Sequence, residues 1–187
     1  MSSTTSRPGY RRVPFELAGD APLRHFADPA GISFVAADDE VVVGLLARAL
    51  LASLDPRDAA EVRRRGARPA AGGMIDDALS GGVYECQRSW WSVVAVRAEP
   101  AGVVLPVVFS DGARDGRDEG TLYHLAVVAG QRGFGLGHLL LGRATDTLLA
   151  HGVWQISCDT AIENTPMLRL FEKQNWLRRP AVEVAPR

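Results

Sequence analysis

The sequence predicts an α/β domain built on a mixed sheet, and three observations carry that prediction. The stretch from Trp90 to Phe109 is Val-rich and reads as a hairpin. A strand-like run, Thr121 to Val128, leads through a glycine-rich loop into a Leu-rich helix from about His138 to Ala150. A further strand, Val153 to Asp159, and a helix, Pro166 to about Gln174, complete an alternation that follows a meander.

Residues 1–14 are polar and read as a mobile N-terminal segment, leaving 15–187 as a single domain. Ile32 to Ala36 is a short apolar run suited to a first strand. Asp38 or Asp39 can cap a helix that starts near Glu40 and ends near Leu54. Asp55-Pro56 opens a second helix with proline in its first turn; Arg63, Arg64 and Arg65 then form a solvated face before Gly66 ends it. Arg68 to Gly73 reads as a break, and Met74 to Leu79 as a short helix. In the hairpin, Glu99 to Gly102 supplies the turn, and Pro106 indicates an edge position or a bulge. Asp111 to Gly120, with three glycines among charges, reads as a surface loop.

Composition narrows the function classes. The 187 residues are 47% hydrophobic, enough for one sizeable core, and their formal net charge of −1 gives no global reason to bind nucleic acid. Cys86 and Cys158 are far apart and in no ligand-type spacing, so neither a disulfide framework nor a metal site is expected. The longest apolar stretch, Val41 to Ala52, is broken by Gly44 and Arg48 and falls short of the roughly 20 residues that a spanning helix needs. No signal-type segment is apparent, and the expectation is a cytoplasmic protein without a membrane or nucleic-acid partner.

The most informative stretch runs from Gly130 to His138, Gly-Gln-Arg-Gly-Phe-Gly-Leu-Gly-His. Alternating glycines between a strand and a helix let the backbone turn sharply and aim several N–H groups at one anion. A Gly-Lys-Ser/Thr ending is absent, and His138 stands where the third glycine of a dinucleotide fingerprint would follow Gly133 and Gly135.

The run Arg132, Gly133, Phe134, Gly135, Leu136, Gly137 resembles the Arg/Gln-x-x-Gly-x-Gly/Ala signature of the GNAT N-acyltransferase superfamily. Leu122 to Val128 is similar to that family's fourth strand, and Glu163 to Trp176 to its Asn-x-x-Ala-x-x-Leu-Tyr-x-x-x-Gly-Phe segment. The resemblance implies a mostly antiparallel mixed sheet flanked by helices, with the family's strands 4 and 5 splayed around the cofactor. It implies acetyl-CoA, or another acyl-CoA, as co-substrate, no metal, and an amine-bearing acceptor, small molecule or protein. It also allows a homodimer. Pyrophosphate would lie on the amides of Arg132 to Gly137, with His138 close by, and the thioester carbonyl against a backbone N–H near Val127 or Val128. Asn164 would cap its helix and also bond the pantetheine arm.

Phe171 stands where that family has a tyrosine that protonates the leaving thiolate. It has no proton to give, and packing against Met167 is an alternative reading of it. This departure keeps an acyl-CoA-binding protein without transferase activity as an alternative. An amine must also lose a proton before it attacks, and Glu119, Tyr123 and His124 are the candidates to accept it. Strand alternation places Glu119, Thr121 and Tyr123 on one face and His124 on the other and by itself does not choose between them. The resembling family's acid-bearing strand position implies the Thr121 and Tyr123 face, hence Glu119, with Tyr123 as water-holder or alternative acid. Asp76, Asp77, Asp111, Asp115 and Asp118 read as solvated loop carboxylates.

Overall fold

The computed structural model describes residues 10–21 and 30–184. Eight described strands form one sheet: β1 (Tyr10–Ala18), β2 (Ile32–Val35), β3 (Ser92–Val96), β4 (Glu99–Arg114), β5 (Arg117–Val127), β6 (Gln155–Ala161), β7 (Leu177–Arg178) and β8 (Val182–Val184). Their order is β2-β3-β4-β5-β6-β1-β7, with β8 also on β1, and every pairing is antiparallel except β5 with β6. Helices α1 (Asp39–Leu50), α2 (Pro56–Arg65) and α3 (Ala67–Leu79) precede β3. Helix α4 (Leu136–His151) joins β5 to β6, and α5 (Thr165–Lys173) follows β6.

The two faces of the sheet carry different cores. On one, Leu45, Leu46, Ala70, Ala71 and Ile75 of α1 and α3 bury against Val93, Val103, Leu105, Ala126 and Val128. On the other, Leu136, Leu139, Leu140 and Ala144 of α4 cover Val94, Ala101 and Val104. Leu141 and Leu148 of α4 continue that side into a cluster with Val13, Phe15, Ile156, Leu168 and Phe171. The fold is thus a mixed, mostly antiparallel sheet between helices, as the sequence predicts.

Several local expectations are corrected. Tyr10 to Pro14 are not part of a mobile segment: they lie in β1, where Val13 and Phe15 are fully buried between β6 and the terminal strands, while residues 1–9 lie outside the described residues. The break at Arg68–Gly73 is helical. Pro69 sits in the first turn of α3, where its missing N–H costs nothing, and the space beside Gly73 is taken by the Arg65 guanidinium. Arg64 and Arg65 both pair with Glu61, in keeping with a solvated arginine face.

The β3–β4 turn falls at Arg97-Ala98, both at positive φ, immediately before the Glu99 to Gly102 segment expected to supply it. The segment 111–120 is no loop but the arm of the β4–β5 hairpin, turning at Asp115-Gly116, also both at positive φ. Exposure along much of this arm explains its polar, loop-like composition. Pro106 marks a bulge, not an edge: the register slips from Leu105↔His124 to Pro106↔Leu122, so Tyr123 is the extra residue.

Candidate active site

A fork in the sheet forms the candidate site. Strands β5 and β6 pair only at Glu119↔Gln155 and Gly120↔Ile156, after which β5 runs on to Val127 beside β4 while β6 stays with β1. Beyond Gly120, one edge of β5 therefore has no ladder partner in β6. The Val128 N–H donates to the Ala101 carbonyl at 2.9 Å, which fixes the alternation: Ala126 and Val128 face β4, whereas Leu125 and Val127 aim their N–H groups into the fork. Of the two amides expected to polarise a carbonyl, that of Val128 is consumed by the sheet, and that of Val127 faces the gap. The Leu125 amide shares its direction, a candidate the sequence reading missed because only the pairing register reveals it.

The glycine loop closes the open end of this fork. Gly133 and Gly135 have φ of +87° and +82°, and a Cβ built on either would meet nothing within 4 Å. The chain turns there in a conformation other residues resist and leaves open space over the backbone. Gly135 is the N-cap of α4 and provides no side-chain cap, so the first amides of the helix remain for a ligand. Gly137 serves a different purpose, since its absent Cβ would lie 3.3 Å from Leu170 of α5. Phe134 is 68% exposed and Leu136 is buried under the sheet. Arg132 does not reach outward as a phosphate ligand would: its Nε donates to the Val127 carbonyl at 3.0 Å and its guanidinium to the Ala52 carbonyl at 2.9 Å. His138 lies in the first turn of α4, and burial, then Lys173, lower its pKa.

Asn164 accepts from the Met167 N–H and caps α5, as expected of it. Phe171 is 2% exposed and sits between Phe15 and Trp176, with ring centroids 4.8 and 4.9 Å away. This places it in the core, and the packing alternative accounts for it; it does not line the open fork.

On the α1–α3 side, the bulge at Tyr123 changes the expected parity. Leu105, the cross-strand partner of His124, belongs to the same cluster as Tyr123, Ala126 and Val128, so Tyr123 and His124 share a face. The expectation that His124 faces the opposite side is therefore corrected. Burial, reinforced by the neighbouring Asp77, pushes the Tyr123 phenol up to about 12. Tyr84 meets that ring edge-on at 5.6 Å. Asp77, read from sequence as a loop carboxylate, is on α3 and turned toward Tyr123. Glu119 accepts a hydrogen bond from the Ser157 hydroxyl at the closed end of the fork. It precedes Val127 by eight residues, roughly 20–25 Å along a strand, whereas His124 is only three residues, or about 10 Å, away. Of the two, His124 is therefore the nearer to the Val127 amide along β5, and the bulge puts it on the face that Tyr123 shares.

Cys158, on β6 beside the fork, is a buried thiol pushed up to about 12 by desolvation, against the hydrogen bonds it receives from Leu122 and Thr121. Arg12 of β1, 8% exposed, holds the Asp159 carboxylate of β6 and, at 2.7 Å, Asp55 at the start of α2. Arg12 had no signal in the sequence, where it reads as one of several terminal arginines.

A forked mixed sheet, strand amides that face into the fork and a glycine loop at a helix start together make up the candidate site. A family model described as the acetyltransferase (GNAT) family matches residues 4–176, and the chain belongs to that family. No curated protein matches the chain. Among solved structures it is similar to a GCN5-related N-acetyltransferase from Sphaerobacter thermophilus, with a TM-score of 0.59 and 15% identity over 97% of this chain and 54% of that one. It is also similar to a tandem GNAT protein from the clavulanic acid biosynthesis pathway, with a TM-score of 0.56 and 20% identity over 97% of this chain and 56% of that one. A third is Arabidopsis thaliana Naa50 in complex with a bisubstrate analogue, CoA-Ac-MVNAL, with a TM-score of 0.50 and 17% identity over 77% and 82% of the two chains. At these identities the likeness is one of fold. The chain spans little more than half the length of the first two. No described helix is long and apolar enough to cross a membrane.

Proposed function

We propose that this chain is an acetyl-CoA-dependent N-acetyltransferase acting on an amine acceptor by direct attack in a ternary complex. The observation that carries the reading is the Val127 amide, aimed into a fork that ends on the open cradle of Gly133 and Gly135. Bound acetyl-CoA would supply the thioester, whose carbonyl carbon forms the new bond to nitrogen as its bond to sulfur breaks.

The remaining chemistry falls to the chain's own groups. The peptide carrying the Val127 N–H is anchored on β4 through its other end, the Ala126 carbonyl, so the donor is preorganised for a developing oxyanion. The amides of the cradle hold the pyrophosphate and thereby position the reacting end. His124, on the face of the sheet beneath α1 and α3, accepts the amine proton directly or through water. Tyr123 is a poor proton source at neutral pH, because its phenol is buried and tied to Asp77. The leaving thiolate then takes its proton from solvent, which a thiol of ordinary acidity tolerates.

The burial of Phe171 and the engagement of Tyr123 support a second reading, an acyl-CoA-binding protein with little transferase activity. Single-turnover rates with an amine acceptor, measured on His124→Ala and Glu119→Gln, separate the two. The proposal expects a loss of roughly 100-fold or more for His124→Ala and a small change for Glu119→Gln. Release of no CoA thiol by the unaltered protein with any amine favours the second reading. A larger loss for Glu119→Gln than for His124→Ala overturns the assignment of the base.

A further inference from the structure

Helices α1 and α2 are joined by residues 51–55, and this short linker is held at both ends by arginines that also bind the two arms of the fork, Arg132 at Val127 of β5 and Arg12 at Asp159 of β6. At one end, the Ala52 carbonyl accepts from Arg132, whose Nε simultaneously donates to the Val127 carbonyl at the tip of β5. At the other, Asp55 is bound by Arg12, which also holds both the side chain and the carbonyl of Asp159 on β6. Between these anchors the linker is stiffened internally: the Ser53 hydroxyl accepts from the Asp55 N–H at 3.1 Å and donates to Asp58 at 2.6 Å. It therefore bridges from the end of β5 to β6 and β1, across the side of the sheet that carries His124.

We propose that Arg132 is a positioning residue that straps the α1–α2 linker to the donor loop and acts on donor binding through its two carbonyl bonds, not as a charge on the phosphates. The inference rests on the reading of the fork as a CoA site. The geometry supplies the reason. A planar guanidinium can serve two carbonyls from different segments at once, a task a single ammonium on a flexible stem performs poorly. With both bonds made, the Val127 carbonyl is capped, the glycine loop is fixed relative to β5, and the linker cannot lift away. Two of the five N–H groups of Arg132 are committed to these carbonyls, which lie within the protein. The consequence is a mechanical connection between the donor loop and the linker that joins α1 to α2.

The test uses Arg132→Lys and Arg132→Ala, both at an exposed position where folding should be retained. Amide hydrogen exchange of residues 51–55 is measured without ligand, and CoA affinity by calorimetry at two salt concentrations. The strap predicts faster exchange of the linker in both variants, and CoA binding weakened about tenfold in both, with an unchanged salt dependence. Wild-type affinity in Arg132→Lys, or a shallower salt dependence in Arg132→Ala alone, shows that charge on the ligand is what matters and overturns the proposal. Linker exchange unaltered in both variants overturns it as well. Failure of the unaltered protein to bind CoA removes the donor-site reading, while the ligand-free exchange measurement still decides whether the strap exists.

Discussion

Phe15 and Phe171 stack with their ring centroids 4.8 Å apart and 25° between their planes, joining β1 to α5 behind the fork. A hydroxyl added to Phe171 would enter this apolar contact, where a polar group without a partner costs about 1–3 kcal/mol. Phe171→Tyr should lower the melting temperature without raising the single-turnover rate, and Phe171→Ala should destabilise by about 3–5 kcal/mol. A faster chemical step in Phe171→Tyr would show that the position does reach the leaving sulfur.

The two glycines at the start of α4 should fail in different ways. Gly135 has positive φ and open space around it, so Gly135→Val strains the turn by about 1–2 kcal/mol and places methyl groups where phosphate meets backbone. CoA affinity should fall well beyond what the modest loss of stability suggests. Gly137→Val instead presses on Leu170 and should cost about 1–3 kcal/mol by overpacking α4 against α5. Calorimetric CoA titration together with thermal melts checks both, and wild-type affinity in a folded Gly135→Val protein contradicts the cradle.

Tyr123 links stability to alkaline pH. Its phenol is raised from the ordinary 10.0 to about 12, by burial first and then by Asp77. The folded state thus favours the protonated form, and the resulting stability is fully present below pH 10 and lost as pH rises through 12. Melts of the unaltered protein and Tyr123→Phe should differ by a constant amount up to about pH 9 and converge above it. A gap that widens with alkaline pH would contradict this environment for the phenol.

Cys158 tests the route of transfer. Burial raises its thiol to about 12, so the nucleophilic thiolate is scarce at neutral pH. Cys158→Ala should retain the single-turnover rate within a few-fold, and no acetylated enzyme should accumulate when acetyl-CoA is supplied without an acceptor. Detection of an acetyl group on Cys158 by mass spectrometry would replace direct attack with a two-step route.

Much of the fold was legible in local pattern, and the misses share a physical cause. The strand–loop–helix around Gly133 and Gly135 and the Asn164 cap depend on backbone requirements that only certain residues meet, so the sequence displays them. The arm 111–120 was misread because exposed strand residues carry no apolar alternation, and strand β1 because its alternation of Val13, Phe15 and Leu17 begins inside a polar, arginine-bearing terminus. The α3 start was misread because Pro69 and Gly73 look like breakers when their neighbour, Arg65, is unseen. At the site, the Val127 amide direction, the shared face of Tyr123 and His124, and the Arg12 and Arg132 anchors all depend on register or on partners distant in sequence. A one-residue bulge is enough to invert a parity argument, and nothing in Leu122-Tyr123-His124 announces it.

The proposed function requires transfer of an acetyl group from a donor held in the β5–β6 fork. Its most direct test incubates the purified protein with acetyl-CoA and a panel of amines, following CoA thiol release and the mass of each acceptor. Thiol release should depend on the amine, be matched one to one by acetylated acceptor, and be abolished in Gly135→Val. Thiol release that is independent of any amine, or acetyl-CoA binding equal in the unaltered protein and Gly135→Val, would contradict it.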